Sequence, residues 1–418
     1  MTGSSAAAES EVESGAISRS QTLDPLQPRD RLLDRDRRLA HGLVAPPLAF
    51  NPRMPWFGGD LQTVRNTLLK PFGGGRRKLP GYRHQHIVFP LRDGSGDRLV
   101  ACLSLPADGA PPAIEMKEFE DTYGWPDTVA VPDLSYDLGR AVDASRIDWT
   151  KLRPAMSSRP LVILCHGLSG CETSHYMVAS TRYLLQSGFA VLRMNLRGAG
   201  PSRAYASTLY HAGRTDDLRD VIDSIDPPAG GLALCGFSLG GSMVLKLMGE
   251  LGDDHRIAAA FSISAPIDLA GTQRRLMAPR NRLYHHWFLR RMLNDMTSIE
   301  GFMDAGRRRR TALVRTVRDF DSHVIAPEAG YETAEAYYED ASAVKYLPMI
   351  RRPTVLIHAE NDPWIPVAPY LAFPWASNKM LLPLILPSGG HVGFHDRSGP
   401  PSWHDRKIVG FLSDISSL

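Results

Sequence analysis

Leu232-Ala233-Leu234-Cys235-Gly236-Phe237-Ser238-Leu239-Gly240-Gly241 is the stretch around which the rest of the chain is organised. A short apolar run of strand type stops at Gly236, Ser238 sits two places on, and Gly240 two places after that. Ser242 to Met248 then carries apolar residues in a helix-like pattern. G-x-S-x-G between a strand and a helix is the pattern of a nucleophile elbow. Such a turn holds a serine hydroxyl clear of the sheet at the positive end of the following helix. Glycines flank the serine because a side chain beside the turn would collide with the neighbouring strand or helix. Chance also assembles five such common residues, so the surrounding chain has to decide.

Outward from the elbow, strand-like and helix-like runs alternate. Leu161–Cys165, Phe189–Asn195 and Ile257–Ser264 are continuous apolar runs, and helical patterns cover Tyr176–Gln186 and Thr215–Ile225. This alternation predicts a mostly parallel sheet covered by helices on both faces, an α/β class fold. His86–Leu91 and Arg98–Leu105, separated by Arg92-Asp93-Gly94-Ser95-Gly96-Asp97, predict a hairpin ahead of it. Strands resume at Thr354–Ala359 and Met380–Leu386, and a last helix spans about Pro401 to Leu412. Between them, about 267–348 reads as helical throughout, including His285–Leu293 and Arg307–Val317, and so predicts a cap inserted over the strand ends. Residues 1–49 read as a flexible tail, 50–418 as the folded domain, and Ala107–Pro160 as a polar surface insertion.

The 418 residues are 43% hydrophobic and 22% charged, an ordinary globular balance with ample material for a core. A net charge of +3 is small for this length and argues against a nucleic-acid partner. Cys102, Cys165, Cys171 and Cys235 form no C-x-x-C pair, and three of them lie in apolar runs that suit buried thiols. The expected setting is therefore a reducing, cytoplasmic one. Met1–Ser20 lacks the apolar core of a secretory signal, and no run approaches the roughly 18 apolar residues of a membrane-spanning helix.

A neutral serine hydroxyl needs a base, and the base needs an orienting acid. On a sheet of this kind the partners follow the serine in the order acid, then histidine, each just after a strand. Asp362 follows the Thr354–Ala359 strand, and His391 follows the Leu381–Leu386 strand behind Gly389 and Gly390. Glu360 and His395 are the less favoured substitutes. Backbone N–H donors for an oxyanion are expected from Leu239, next to the serine, and from Leu168 in the loop Cys165-His166-Gly167-Leu168-Ser169-Gly170. His166 is read as ordering that loop, and Arg197-Gly198-Ala199-Gly200-Pro201-Ser202 as a structural turn lining the site. No residue set has metal-ligand spacing, so neither metal nor cofactor is expected. Arg307-Arg308-Arg309-Arg310, with Arg315 and Arg318, gives the cap a basic face. Its plain reading is a solvated helix surface, and its sharper one is peripheral attraction to anionic lipid headgroups.

These residues resemble the YheT-like branch of the α/β-hydrolase superfamily, over about Phe50 to the C-terminus. The resemblance rests on Gly59-Asp60-Leu61-Gln62-Thr63, His166–Gly170, Asn195–Gly198 and Gly236–Gly241, and continues through Asp319-Phe320-Asp321, Tyr337-Tyr338, Asn361-Asp362-Pro363 and Gly390–Phe394. Relatives usually carry histidine where this chain has Asp60, and the Ala107–Pro160 segment is longer than usual. The resemblance implies an α/β-hydrolase fold and a serine hydrolase with Ser238, Asp362 and His391 as its triad. Members are described as carboxylesterases acting on medium-chain acyl esters or phospholipids, and some as acyltransferases. The expected activity is thus cleavage of short- to medium-chain or lipid-like acyl esters through an acyl-enzyme on Ser238. The rivals are acyl transfer to an alcohol, for which His391 and Asp396 supply an H-x-x-x-x-D spacing, and a binding protein on a retired hydrolase fold. Oligomeric state is left open by the sequence.

Overall fold

The structure, a computed structural model, describes residues 50–69, 82–106, 141–156, 158–299 and 301–416. The tail expected over 1–49 and most of the Ala107–Pro160 segment lie outside these residues. Nine strands form one sheet among them: β1 (Arg83–Pro90), β2 (Arg98–Leu105), β3 (Val142–Asp143), β4 (Leu161–Cys165), β5 (Val191–Met194), β6 (Leu232–Phe237), β7 (Ile257–Ile263), β8 (Thr354–Ala359) and β9 (Leu381–Leu386). Their order is β3-β1-β2-β5-β4-β6-β7-β8-β9. β1 and β2 pair antiparallel, as the turn composition between them predicts, and β2 pairs antiparallel with β5. From β5 to β9 every pairing is parallel.

The apolar runs are continuous because both faces of the sheet are covered, so successive side chains enter two different cores. Along β4, Leu161, Ile163 and Cys165 pack on one side, and Val162 and Leu164 on the other. Along β6, Leu232 and Leu234 join the first side, while Ala233, Cys235 and Phe237 join the second. The helices are α1 (Gly59–Leu69), α2 (Trp149–Met156), α3 (His175–Gln186), α4 (Asp216–Asp223) and α5 (Leu239–Leu251). α6 (Leu269–Met277), α7 (Arg282–Thr297), α8 (Ala305–Thr311), α9 (Val317–Phe320) and α10 (Ala334–Ala341) all lie between β7 and β8. α6, α7, α9 and α10 share an apolar cluster with the connecting segments, Phe302, Phe320 and Tyr337 among its members, whereas α8 buries none of its residues. α11 (Ala368–Ala372) and α12 (Trp403–Ser416) follow β8 and β9.

One expectation needs amending. The Ala107–Pro160 segment is not all surface: β3 pairs with β1, and Ala144 and Trp149 are buried in the first core. A two-residue strand is too short to show alternation, and one tryptophan among polar residues gives no periodicity, so neither left a readable pattern.

Candidate active site

Ser238 occupies φ 53° and ψ −122°, a left-handed conformation that non-glycine residues adopt at a cost of order 1–2 kcal/mol. The turn is forced by close backbone contact. A Cβ on Gly236 would lie 2.2 Å from the Gly240 carbonyl oxygen, and one on Gly240 would lie 2.5 Å from that of His166. The Ser238 N–H donates to the Ile263 carbonyl at 2.8 Å, pinning the elbow to β7. Its hydroxyl forms no capping bond to α5.

Each remaining predicted residue sits at the carboxyl end of a parallel strand. Asp362 follows β8 and is buried, with Oδ1 accepting from the N–H groups of Trp364 (2.8 Å) and Ile365 (3.0 Å). Oδ2 lies 2.8 Å from His391 Nδ1. Burial alone would raise the Asp362 carboxyl, but the charge and hydrogen bond of His391 and the Ile365 N–H outweigh it and hold it below its usual value. The Trp364 ring tilts over the His391 ring with centroids 4.4 Å apart, shielding the pair. His391 and Ser238 line one cleft of about 950 Å³, counting the space that opens to solvent, together with Leu168 and Leu239. Among the described residues, neither the Leu168 nor the Leu239 N–H has an acceptor. The rest of the cleft is mainly apolar, with Leu276, Phe288, Met292 and Phe320 on its cap side.

The alternatives fare differently. His395 faces another cleft, and its N–H donates to Gln62 Oε1 at 2.8 Å. Glu360 is exposed. Asp396, the acid of the H-x-x-x-x-D spacing, is buried in an ion pair with Arg406 at 2.5 Å and so anchors α12. His166 is fully buried, its Nδ1 2.8 Å from the Gly167 carbonyl and its Nε2 accepting the Leu196 N–H at 3.1 Å. Burial pushes its imidazole down to about 4, so it orders the loop as a neutral ring. The Arg197–Ser202 turn is structural but does not line the cleft. Arg197 is buried against Asp217 and Asp97, because a desolvated guanidinium requires carboxylates around it.

The structure also supplies parts that the sequence did not assign. Gly59–Thr63 opens α1 and braces the His391 loop. Thr63 Oγ1 accepts the His391 N–H at 2.8 Å and donates to the Gly59 carbonyl at 2.7 Å. Gln62 Nε2 donates to the carbonyls of Trp56 and His395. A Cβ on Gly390 would come within 2.5 Å of the Gly59 carbonyl oxygen, so that glycine, at φ +61°, lets the two segments touch. Asn361 Oδ1 accepts from Gly389 and Gly390, and Ser264 Oγ from Val392. The Tyr176 and Tyr210 hydroxyls accept the N–H groups of Gly167 (2.8 Å) and Ser169 (2.6 Å) and fix the Leu168 loop that follows β4. From the cap, Asp321 enters the cleft on a single π-helical turn, with the Tyr338 hydroxyl donating to its Oδ2 at 2.6 Å. Burial pushes this carboxyl up to about 7, against the opposing Tyr338 hydrogen bond. The motifs of the resemblance contain Gly59–Thr63, Asp321, Tyr338 and Asn361 but assign them no role, and the partners of Gln62 and Thr63 lie more than three hundred residues away.

A buried acid–histidine pair that shares a cleft with a serine on a strained elbow and with open backbone donors can do acyl-transfer chemistry. Residues 160–398 match the family described as alpha/beta hydrolase fold. The chain is 32% identical over 276 residues to the monoacylglycerol lipase of Saccharomyces cerevisiae, a match that covers 61% of this chain and 59% of that protein. It is 26% identical over 273 residues to YheT of Escherichia coli, covering 63% of this chain and 80% of YheT. Phospholipase ABHD3 of Mus musculus is 25% identical over 263 residues, with 61% of this chain and 64% of that protein covered. The chain thus spans less than two thirds of the yeast and mouse relatives.

Proposed function

The chain belongs to the alpha/beta hydrolase fold family, in its YheT-like branch, and from that premise we propose that it is a serine carboxylic ester hydrolase. Ser238 Oγ attacks the ester carbonyl while His391 takes its proton through Nε2. Asp362 keeps the Nδ1 proton in place and stabilises the imidazolium. The N–H groups of Leu168 and Leu239 receive the negative charge that develops on the carbonyl oxygen. The tetrahedral adduct collapses, the C–O bond breaks, and His391 gives its proton to the leaving alcohol. Water then attacks the acyl-enzyme with His391 again as base, releasing the carboxylic acid and restoring Ser238.

The observation that carries this reading is the sharing of one apolar cleft by Ser238 on its strained turn and His391, whose Nδ1 is 2.8 Å from a buried carboxylate. The apolar lining favours a short- to medium-chain or lipid-like acyl group, with peripheral contact to a lipid surface through the cap. Ser238→Ala is expected to lower p-nitrophenyl butyrate hydrolysis by roughly 10³-fold or more and to abolish labelling by a fluorophosphonate probe, with the melting temperature retained. Unchanged turnover in that variant would rule the mechanism out.

A further inference from the structure

From Leu269 to Asn294 the chain contains six arginines and no aspartate or glutamate. The segment comprises α6 and most of α7, and it has two very different sides. Its inner residues, Leu276, Phe288 and Met292, line the cleft that holds Ser238. Leu283, His286, Trp287 and Arg290, spaced i, i+3, i+4 and i+7, share the opposite face of α7 and are exposed. Leu283 is 86% and Trp287 46% exposed, and Met277 at the end of α6 is exposed as well. Large apolar side chains left outward on a helix ordinarily signal a surface that something covers.

The charges around this stripe indicate what covers it. Arg274, Arg282 and Arg290 are exposed and form no ion pair with a described residue. Among the described residues, Arg280 alone on this face has an acidic partner, Asp60 at 2.6 Å. The arginine run on α8 is different: Arg307 and Arg310 both bind Glu328, and nearby Arg318 binds Glu335. Its positive charge is thus partly spent within the protein, whereas that of α6 and α7 is not. Exposed leucine and tryptophan interleaved with unpaired arginine match the boundary of an anionic bilayer, where the apolar groups enter the acyl region and the guanidinium groups meet phosphates.

We infer that the outer face of α6 and α7, centred on Leu283 and Trp287, is where this protein docks on an anionic phospholipid membrane. The inference deepens the ester reading, because the docked face and the cleft are two sides of the same helices. Trp287 stacks on Trp364, whose ring covers His391, so contact between the docked face and the site is continuous. A lipid ester leaving the bilayer has only the thickness of this helix pair to cross.

The test is cosedimentation of the full chain with vesicles of phosphatidylcholine alone and of phosphatidylcholine mixed with phosphatidylserine. Ser238→Ala protein is run in parallel, so the outcome stands apart from whether esters are cleaved. Binding to the mixed vesicles alone, weakened by added salt, is expected. Leu283→Asp and the pair Arg282→Glu/Arg290→Glu should each reduce partitioning by about tenfold while soluble-ester turnover is unchanged. The proposal is overturned if the wild-type chain ignores the mixed vesicles, or if these variants bind as wild type does. It is equally overturned if the loss follows Arg308→Glu/Arg309→Glu instead, or if Leu283→Asp merely dissociates a dimer.

Discussion

Two walls meet at the cleft, and they are held by different means. On the sheet side, position is set by backbone touching backbone: Gly236 against Gly240, Gly240 against His166, Gly390 against Gly59. On the cap side it is set by polar side chains, with Arg203 paired to Asp295, Arg291 donating to the Ser169 carbonyl, and Tyr284 donating to Asp60. Backbone contact leaves almost no room for adjustment, because no rotamer change relieves a clash between a Cβ and a carbonyl. Side-chain ties can lengthen, exchange or take up water. The sheet wall therefore suits chemistry that tolerates no displacement, and the cap wall suits recognition of substrates that vary.

The hardest blow to this contrast falls at Gly240. Gly240→Ala would place a methyl group about 2.5 Å from the His166 carbonyl oxygen and 2.6 Å from that of Cys165. Destabilisation of roughly 3 kcal/mol or more is expected, read as a collapse of the melting temperature and of soluble yield. A well-folded, active Gly240→Ala protein would show that the elbow can relax, and the distinction between the walls would fail.

Thr63 sharpens the comparison, because there the sheet wall borrows a side chain. Its hydroxyl alone connects α1 to the His391 N–H. Thr63→Val keeps the shape and removes the hydrogen bond, leaving a backbone donor unpaired at a cost of about 1–3 kcal/mol. The expected outcome is a fall in kcat of roughly 10–100-fold from misplacement of His391, with KM for a small ester little changed. Equal activity in Thr63→Val would mean that Asn361 and Ser264 suffice to hold the loop.

This division also explains which parts of the molecule the sequence makes legible. The strand expected over Leu161–Cys165 and the strand expected over Thr354–Ala359 have those same bounds in the structure. Both are continuous apolar runs bounded by polar turns, a local signal. Ser238, Asp362 and His391 could be named because each follows such a run with glycine or proline nearby. Thr63 belongs to a motif of the resemblance but carries no local sign of what it does: its function exists only once a segment 328 residues away folds against it. The arginines of α8 looked alike in sequence, yet Glu328 singles out Arg307 and Arg310 through a tertiary contact. Asp321 stands in the motif Asp319-Phe320-Asp321, but its raised carboxyl exists only once the cap closes around it.

Asp321 offers the smallest and most discriminating test, on the cap wall. Its folded-state carboxyl is pushed up to about 7 from 3.8, chiefly by burial. A raised acid favours the protonated native state, so its contribution is complete below the unfolded value and is lost as pH rises through about 7. Relative to Asp321→Asn, the wild-type protein should therefore lose stability as pH rises across that window, and thermal melts of the pair at successive pH values measure it. The same ionisation places a charge on the wall of an apolar cleft, where it opposes a neutral acyl chain. With a neutral ester, the ratio of wild-type to Asp321→Asn kcat/KM should be near unity below about pH 6 and fall a few-fold above about pH 8. A ratio that stays flat while the melts diverge would confine Asp321 to holding Tyr338 and the cap together, and substrate selection on this wall would then rest on apolar shape alone.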